Sequence, residues 1–596
     1  MHSLVHPNVW VCLRLPSDSL KIIQVVPNTI VSLGKYGSFP ANLIIERPYN
    51  LTYELLDRKP GHKDSELRIV PAAELHADTI AEEEAAKNPN GTEGEDKITI
   101  GGDGVEFQLV GENGEVIMRS NRETIDDSAR QTLTMEEIEE LKREGTGAGK
   151  DLIAKLMASH LGLDQKTAFS LAKYKLLKTK KYLRRFTILP VDVPMLTTWM
   201  MEEKDASKIL ELREEMLALI GSWSNVHFSE MPIDTGTGDG RWLVVDETGG
   251  LLAAALAERM GILYPSPSDL SPQNSEEESY RHAEPPLATS NTITLIHNNT
   301  QPNLSLLKYF SYDPTATSTS PTHPLSTHLH PLSWLQLLHP ENDTVYSTPI
   351  EPVSPETLQS YKSGKRGTYY RKLRRHNRIK TIVDSTLAGG FSGLVIASHM
   401  DPVSILRHTI PLLRGGAQIA IYSPTIEPLV TLSDIYSTSR RTAFIQSPPL
   451  SFLSLQTPEE RSQWQGDDDF PLNPTLLLNT SVQSARIREW QVLPGRTHPV
   501  MTAKGGAEGY LFTATRVLPA EGKVEARGKF ARKKTEVKSA NGNREPANKK
   551  MKVDGAVVEG DVDPMTAAAL ETVETQNAAF ENAVKEDGSG VEVQMS

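Results

Sequence analysis

Seven residues at the end of an apolar run have the types and spacing of a turn that could cradle a ligand: Asp246-Glu-Thr-Gly-Gly-Leu-Leu252. They follow Trp242-Leu-Val-Val245 and lead into Ala253-Ala-Ala-Leu-Ala-Glu-Arg259, so the segment predicts a buried strand, a tight turn and a helix. A nucleotide-binding α/β domain begins this way. The helix N-terminus offers unpaired N–H groups to an anion, and glycines let the backbone take φ > 0 or come close to the ligand. Gly249 and Gly250 are present, but Thr248 and Leu252 carry β-carbons where a G-x-G-x-G turn has none. The next apolar run ends Leu295-Ile-His-Asn-Asn299, which offers no carboxylate to ribose hydroxyls, and a polar insert at 264–290 breaks the ~20-residue spacing of dinucleotide folds. Gly236-Thr-Gly-Asp-Gly240 precedes the strand and cannot open the helix. Two missing elements predict the architecture without its cofactor. The plainer alternative is an unrelated α/β domain with such a turn.

A second chemistry is suggested by cations. Lys173, Lys175, Lys178, Lys180, Lys181, Arg184 and Arg185 place seven positive charges in thirteen residues with no acid among them. On a helix Phe169, Ala172, Leu176 and Leu183 form a narrow docking stripe, which leaves the cations, interleaved with Tyr174 and Tyr182, in solvent. A solvated face is the bland reading; a ridge that grips RNA phosphates without reading sequence is the sharper one. Lys365-Arg-Gly-Thr-Tyr-Tyr-Arg-Lys-Leu-Arg-Arg-His-Asn-Arg-Ile-Lys380 is a second cluster, open equally to a helix on RNA and to a charged linker. Trp490-Gln-Val-Leu-Pro-Gly-Arg-Thr-His498, with Gly505, Gly506, Gly509 and Tyr510 after it, could grip a phosphate or a base, or simply form a hairpin. Lys533, Lys534, Lys549, Lys550 and Lys552 have the pattern of nuclear import signals.

These residues need elements to hold them. The length of 596 residues suggests roughly three or four domains, less any disorder. An apolar content of 38% and an aromatic content of 6% are low enough to imply unfolded segments. The net charge of −13 argues against a chain that coats nucleic acid everywhere. Cys12, the single cysteine, excludes an internal disulfide and a multi-cysteine zinc site, and its apolar surroundings predict core packing. No secretory signal is evident, and no run of about 18 apolar residues predicts a membrane span. Short β-branched runs at 9–56, 105–110 and 115–119 predict a small barrel or sandwich, interrupted by an acidic insert at 57–100. Thr134-Met-Glu-Glu137 is a capping box that starts a helical connector over 131–186. Strand-like runs at 186–189, 242–245, 292–296, 393–397 and 417–422 alternate with helical segments and predict a mostly parallel sheet over 187–516, with inserts at 264–290 and 311–380. Residues 517–596 are expected to be a disordered tail.

Several long, ordered segments resemble the family of non-catalytic subunits of the eukaryotic tRNA adenine-58 N1-methyltransferase. They are Val26-Pro-Asn-Thr29, Ser32-Leu-Gly-Lys-Tyr-Gly-Ser-Phe-Pro-Ala-Asn42, Arg47-Pro-Tyr-Asn-Leu-Thr-Tyr-Glu54 and Gln131-Thr-Leu-Thr-Met-Glu-Glu-Ile-Glu-Glu-Leu-Lys142. The lysine-rich 173–182, Val245-Asp-Glu-Thr-Gly-Gly-Leu251, Gly393-Leu-Val-Ile-Ala-Ser-His399 and Gln491-Val-Leu-Pro-Gly-Arg-Thr-His-Pro499 join them, so the resemblance runs from about residue 8 to 516 outside the inserts. It implies an N-terminal β-barrel and a Rossmann-like methyltransferase fold with a degenerate cofactor site. It also implies a catalytic paralogue that binds S-adenosylmethionine, a 2+2 heterotetramer and a tRNA whose T-loop adenosine is methylated. Catalytic members carry an Asp-Leu-Pro-like segment where this chain has Ser398-His-Met-Asp-Pro402. The family's RNA-contacting regions correspond to Asn121, Arg122, Lys173, Lys175, Lys178, Lys180, Lys181, Tyr182, His399, Arg486, Arg488, Trp490, Gln491, Arg496, His498, Gly505, Gly506, Gly509 and Tyr510. Lys175-Leu-Leu-Lys178 departs from the family's more continuous lysine run. An active methyltransferase with an atypical site around Asp246 and Glu247, and a general RNA-binding adaptor, are the rival functions.

Overall fold

The structure is a computed structural model that describes residues 3–56, 65–75, 109–110, 116–118, 134, 136–137, 149–159, 174, 177–179, 182–229, 240–264, 291–314, 323–488, 490–493, 496–500 and 508–518. Proline- and asparagine-punctuated runs near the N-terminus form β1 (Trp10–Arg14), β2 (Leu20–Gln24), the hairpin β3 (Ile30–Ser32) and β4 (Ser38–Pro40), then β5 (Thr52–Leu55) and β6 (Leu67–Ile69). A further short hairpin joins β7 (Leu109–Val110) to β8 (Val116–Met118). The main N-terminal sheet has the order β2-β1-β9-β5-β6, with β9 spanning Arg185–Pro190. Its pairings are antiparallel.

Three expectations change here. The run at 186–189, expected as the first strand of the α/β domain, is the centre of the N-terminal sheet, where it pairs with β1 and β5. An apolar run carries no mark of which sheet will recruit it. Part of the acidic insert is also structured: β6 pairs with β5, Tyr53 opposite Ile69. Among the described residues the five strands end in two edges, β2 and β6, and do not close on themselves.

Both faces of the sheet are covered at β1 and β9, which explains their near-continuous apolar runs. Val11, Leu13, Phe39, Tyr53, Phe186 and Ile188 form one core. Cys12, Leu20 and Leu189, from the opposite face, join a core shared with α2 (Val193–Glu202) and α3 (Glu214–Trp223). Cys12 is fully buried, as its surroundings suggested, and burial pushes its thiol up to about 12. Ahead of β9, the capping box at Thr134 is present: its N–H donates to Glu137 Oε2 at 2.8 Å, and Glu137 N–H donates to Thr134 Oγ1 at 3.2 Å. A helix, α1 (Gly149–Ala158), follows it in the connector.

The second sheet comprises β10 (Arg241–Asp246), β11 (Thr292–His297), β12 (Leu329–Ser333), β13 (Phe391–Ala397), β14 (Leu413–Ser423), β15 (Leu477–Gln483) and β18 (Tyr510–Arg516) in the order β12-β11-β10-β13-β14-β18-β15. The first five are parallel; β18 runs antiparallel between β14 and β15. That is a doubly wound order with one reversed strand inserted near the far edge, a Rossmann-like arrangement. Side chains alternate to two cores. Trp242 and Val244 face α2, α3 and α4 (Leu251–Arg259). Leu243 and Val245 face α5 (Ser363–Leu387), α6 (Pro402–Thr409) and α7 (Glu427–Ile435). Each such fully buried aliphatic or aromatic side chain contributes roughly 1.5–3 kcal/mol. Residues 311–380, expected as an insert, contain the edge strand β12 and most of α5. Pro331 lacks an N–H, which an edge strand tolerates. The predicted insert 264–290 lies outside the described residues save at 264, and the predicted tail outside them from 519 on.

Candidate functional site

Open α/β sheets bind ligands beyond the C-terminal ends of their strands, where the strand order reverses. Here that point lies between β10, β11 and β13, and the turn 246–252 closes it from within. Asp246, buried at the end of β10, accepts three hydrogen bonds: from Thr248 N–H at 2.7 Å, from the Thr248 hydroxyl at 2.6 Å and from Ala253 N–H at 3.0 Å. Thr248 Oγ1, fully buried, accepts from Leu252 N–H at 3.0 Å. Two first-turn donors of α4, the Leu252 and Ala253 N–H groups, which a nucleotide site would aim at its ligand, are thus taken by the chain's own side chains. Burial pushes the Asp246 carboxyl up, and the hydrogen bonds from Thr248 and Ala253 oppose that.

The two glycines are needed, but for packing. Gly249 and Gly250 have φ of 74° and 93°, a region other residues rarely adopt. A Cβ on Gly250 would lie 3.2 Å from Leu307 Cγ, and one on Gly249 would lie 3.3 Å from Ser305 Oγ. Leu306 N–H donates to Gly249 O at 3.0 Å. The close neighbour that the glycines admit is therefore the segment 304–307, and Leu252 is wholly buried in the core beneath.

Glu247 ties the strand ends together. Its N–H donates to Ala397 O at 2.9 Å, and its carboxylate accepts from Asn298 Nδ2 at 3.1 Å and from His399 N–H at 2.7 Å. It thereby bridges the segments that follow β11 and β13. Ser398 Oγ accepts from Met400 N–H at 3.0 Å, and Asp401 caps α6 by accepting from Ser404 N–H at 3.1 Å. Sequence reasoning missed this bridge; an acid beside Asp246 at a strand end was the available signal. The His297 imidazole, shifted down by burial, sits with Nδ1 2.8 Å from Asn299 O.

The proposed RNA contacts fall into separate groups. His399 is exposed beside Glu247. Lys178 lies in a helical turn with its ammonium 4.8 Å from the centre of the Tyr174 ring, and Tyr182 is half-buried just before β9. Arg185 is not a free cation of the ridge: it pairs with Glu74 at 2.8 Å and Glu54 at 3.8 Å, and Arg68 pairs with the same two acids. Asn121, Arg122, Lys173, Lys175, Lys180, Lys181, Gly505 and Gly506 lie outside the described residues.

Near the C-terminal edge, β16 (Trp490–Leu493) and β17 (Arg496–Pro499) form a hairpin with Gln491 opposite His498 and Leu493 opposite Arg496. Trp490 and Val492 are 59% and 72% exposed, a high value for side chains that gain by burial. Arg488 and His498 are exposed, and Arg486 pairs with Glu508 at 3.2 Å. Gly509 has another task. With φ of 77°, it lets Tyr422 approach so closely that a Cβ would lie 2.7 Å from the ring, while the Tyr422 hydroxyl donates to Leu210 O at 3.0 Å. Tyr510 is half-buried at the start of β18, against the core. No hydrogen bond or ion pair among the described residues joins the His399, Lys178 and hairpin groups.

The Gcd10p family model matches residues 4–362. A protein of Aspergillus fumigatus named tRNA (adenine(58)-N(1))-methyltransferase non-catalytic subunit trm6 is 47% identical over 587 residues, covering 93% of this chain and 99% of that protein. A Schizosaccharomyces pombe protein of the same name is 27% identical, covering 89% of this chain and 96% of its own length. Among solved structures, the tRNA (m1A58) methyltransferase TrmI from Aquifex aeolicus aligns with 86% of this chain and 99% of its own, at 8% identity and a TM-score of 0.34. With the family model spanning more than half of the sequence and near-full-length relatives at up to 47% identity among these, the chain belongs to the Gcd10p family.

Proposed function

We propose that this chain is the non-catalytic, tRNA-binding subunit of the complex that methylates N1 of adenosine 58 in the tRNA T-loop. The observation that carries this reading is the self-occupied turn. Asp246 and Thr248 take the α4 donors, Glu247 bridges to Asn298 and His399, and Ser305 and Leu307 fill the space over the glycine pair. A methyl donor placed there meets first-turn N–H groups of Leu252 and Ala253 that are already taken, and no acid at the end of β11 to hold its ribose. S-adenosylmethionine accordingly belongs to a catalytic paralogue, assembled with this chain as two copies of each. This chain supplies grip on the substrate through Lys178 with its lysine-rich neighbours, His399 and the Trp490 hairpin. The N-terminal sheet serves as the family's small barrel domain, and the lysine clusters at 533–552 direct the chain to the nucleus.

The test is co-expression of this chain with the catalytic paralogue and an assay of T-loop adenosine methylation. Activity that requires both chains, with methyl-donor binding abolished by changes in the paralogue alone, supports the reading. Methylation by this chain alone sinks it.

A further inference from the structure

The second basic cluster, open to two readings in the sequence, is a helix. Of its 25 residues, α5 docks through a stripe at helical spacing that broadens toward its C-terminus: half-buried Tyr369 and Leu373, then buried His376, half-buried Ile379 and buried Ile382, Val383 and Thr386. His376 Nδ1 lies 2.6 Å from Val345 O and anchors that stripe. The stretch 357–383 contains nine Lys and Arg residues and no Asp or Glu. Arg378 is held by the Ser326 and Leu329 carbonyls at 3.4 Å each, Arg374 Nε donates to Tyr370 O at 3.3 Å, and Lys365 sits 3.9 Å above the Tyr361 ring. The other six, Lys362, Arg366, Arg371, Lys372, Arg375 and Lys380, are exposed, and their side chains make no hydrogen bond or ion pair to a described residue.

Such a helix is not stabilised by its own charges. Lys362 and Arg366, Arg371 and Arg375, and Arg374 and Arg378 are like-charged pairs four residues apart, which repel. Its N-terminal half, polar nearly all round and without an acid, needs something else to hold it. Its first half, residues 363–375, presents about 20 Å of cationic surface, and Tyr370, 43% exposed, stands among those cations with its ring 5.5 Å from that of Tyr369. Cations that position on phosphates beside an aromatic that can stack on a base fit a nucleic acid better than an acidic protein face. The location is distinct from the other contacts: α5 packs on β12, one edge of the seven-stranded sheet, whereas the Trp490 hairpin follows β15 at the opposite edge. Six strand spacings put the two edges roughly 29 Å apart.

We propose that the N-terminal half of α5 is a second RNA-binding surface, one that grips backbone phosphates at the β12 edge of the sheet. The proposal rests on the tRNA-binding reading and adds a contact outside every segment assigned to it above. The experiment measures tRNA binding by the complex of this chain with its catalytic partner between 50 and 200 mM salt. It compares the wild type with a triple variant, Arg371→Ala, Lys372→Ala and Arg375→Ala, whose side chains are exposed and make no hydrogen bond or ion pair to a described residue. The expected result is about tenfold weaker binding at the lower salt and a log–log salt slope shallower by about 2, from three lost contacts worth about 0.7–0.9 each. Amides of 363–375 should also gain hydrogen-exchange protection when tRNA binds the wild type. Equal affinity and slope in the two proteins, with a wild type that binds tRNA, overturns this surface and leaves the functional reading standing. Failure of the wild-type complex to bind tRNA removes both. Unchanged tRNA binding with loss of the catalytic partner on purification assigns the helix to a protein interface and overturns the proposal.

Discussion

Replacing Asp246 by Ala tests whether the turn is sealed from within. The carboxylate accepts from two backbone N–H groups, those of Thr248 and Ala253, and from the Thr248 hydroxyl. Alanine leaves both backbone donors without an acceptor in a fully buried site, at a cost of about 1–3 kcal/mol for each. Part of this is returned, because the wild-type protein must desolvate the carboxylate, as the upward shift of its pKa indicates. A net loss of about 3 kcal/mol follows. It should be concentrated in α4, whose first turn loses its cap. Hydrogen exchange resolved along the chain measures this directly: amides of 252–257 should exchange about 100-fold faster in the variant, with the β1–β2 amides changed far less. Asp246→Asn keeps an acceptor oxygen and should lose about 1 kcal/mol. Unaltered exchange across α4 in the alanine variant would refute the reasoning, because it would mean that these donors do not depend on Asp246.

Three further outcomes are expected. Gly509→Ala should destabilise by about 2–4 kcal/mol, from a left-handed backbone and overlap with Tyr422; an unshifted urea midpoint would contradict the packing role. The His323 imidazole is held neutral in the fold, since burial lowers its pKa below 6.5 and its Nδ1 accepts from Leu325 N–H at 3.1 Å. Its contribution is therefore complete above the ordinary histidine value and is lost as pH falls through the lowered one. His323→Gln should flatten the decline of thermal stability below pH 6.5, and parallel wild-type and variant profiles would count against it. Removing the charges of Lys178, Lys180 and Lys181 together should weaken tRNA binding in filter or fluorescence assays, most at low salt, while the catalytic partner still co-purifies; undiminished affinity would exclude the ridge.

The turn was legible because its chemistry is local. A buried strand, two glycines and an alanine-rich helix place Asp246, Thr248 and Leu252 by chain geometry alone. What the turn packs against was not legible: the loop 304–307, Asn298 and His399 arrive from 50 or more residues away. The same limit explains β9, whose apolar pattern suits either sheet, and β12, where His330 and Pro331 in a five-residue strand masked an edge that only β11 defines. Gly509 looked like part of a ligand-gripping turn because the partner that demands a glycine, Tyr422, lies on a strand far upstream. In the basic helix the docking stripe at 369, 373 and 376 is weak, so its order depends on Val345 and the β12 edge as much as on its own residues.

Calorimetric titration of S-adenosylmethionine into this chain by itself, and then into its complex with the catalytic subunit, is the most direct measurement of all. No heat of binding in the first titration and one molecule per catalytic subunit in the second is the predicted pair of results. Saturable, stoichiometric binding to the isolated chain would contradict a crevice already filled by Asp246, Thr248 and Glu247.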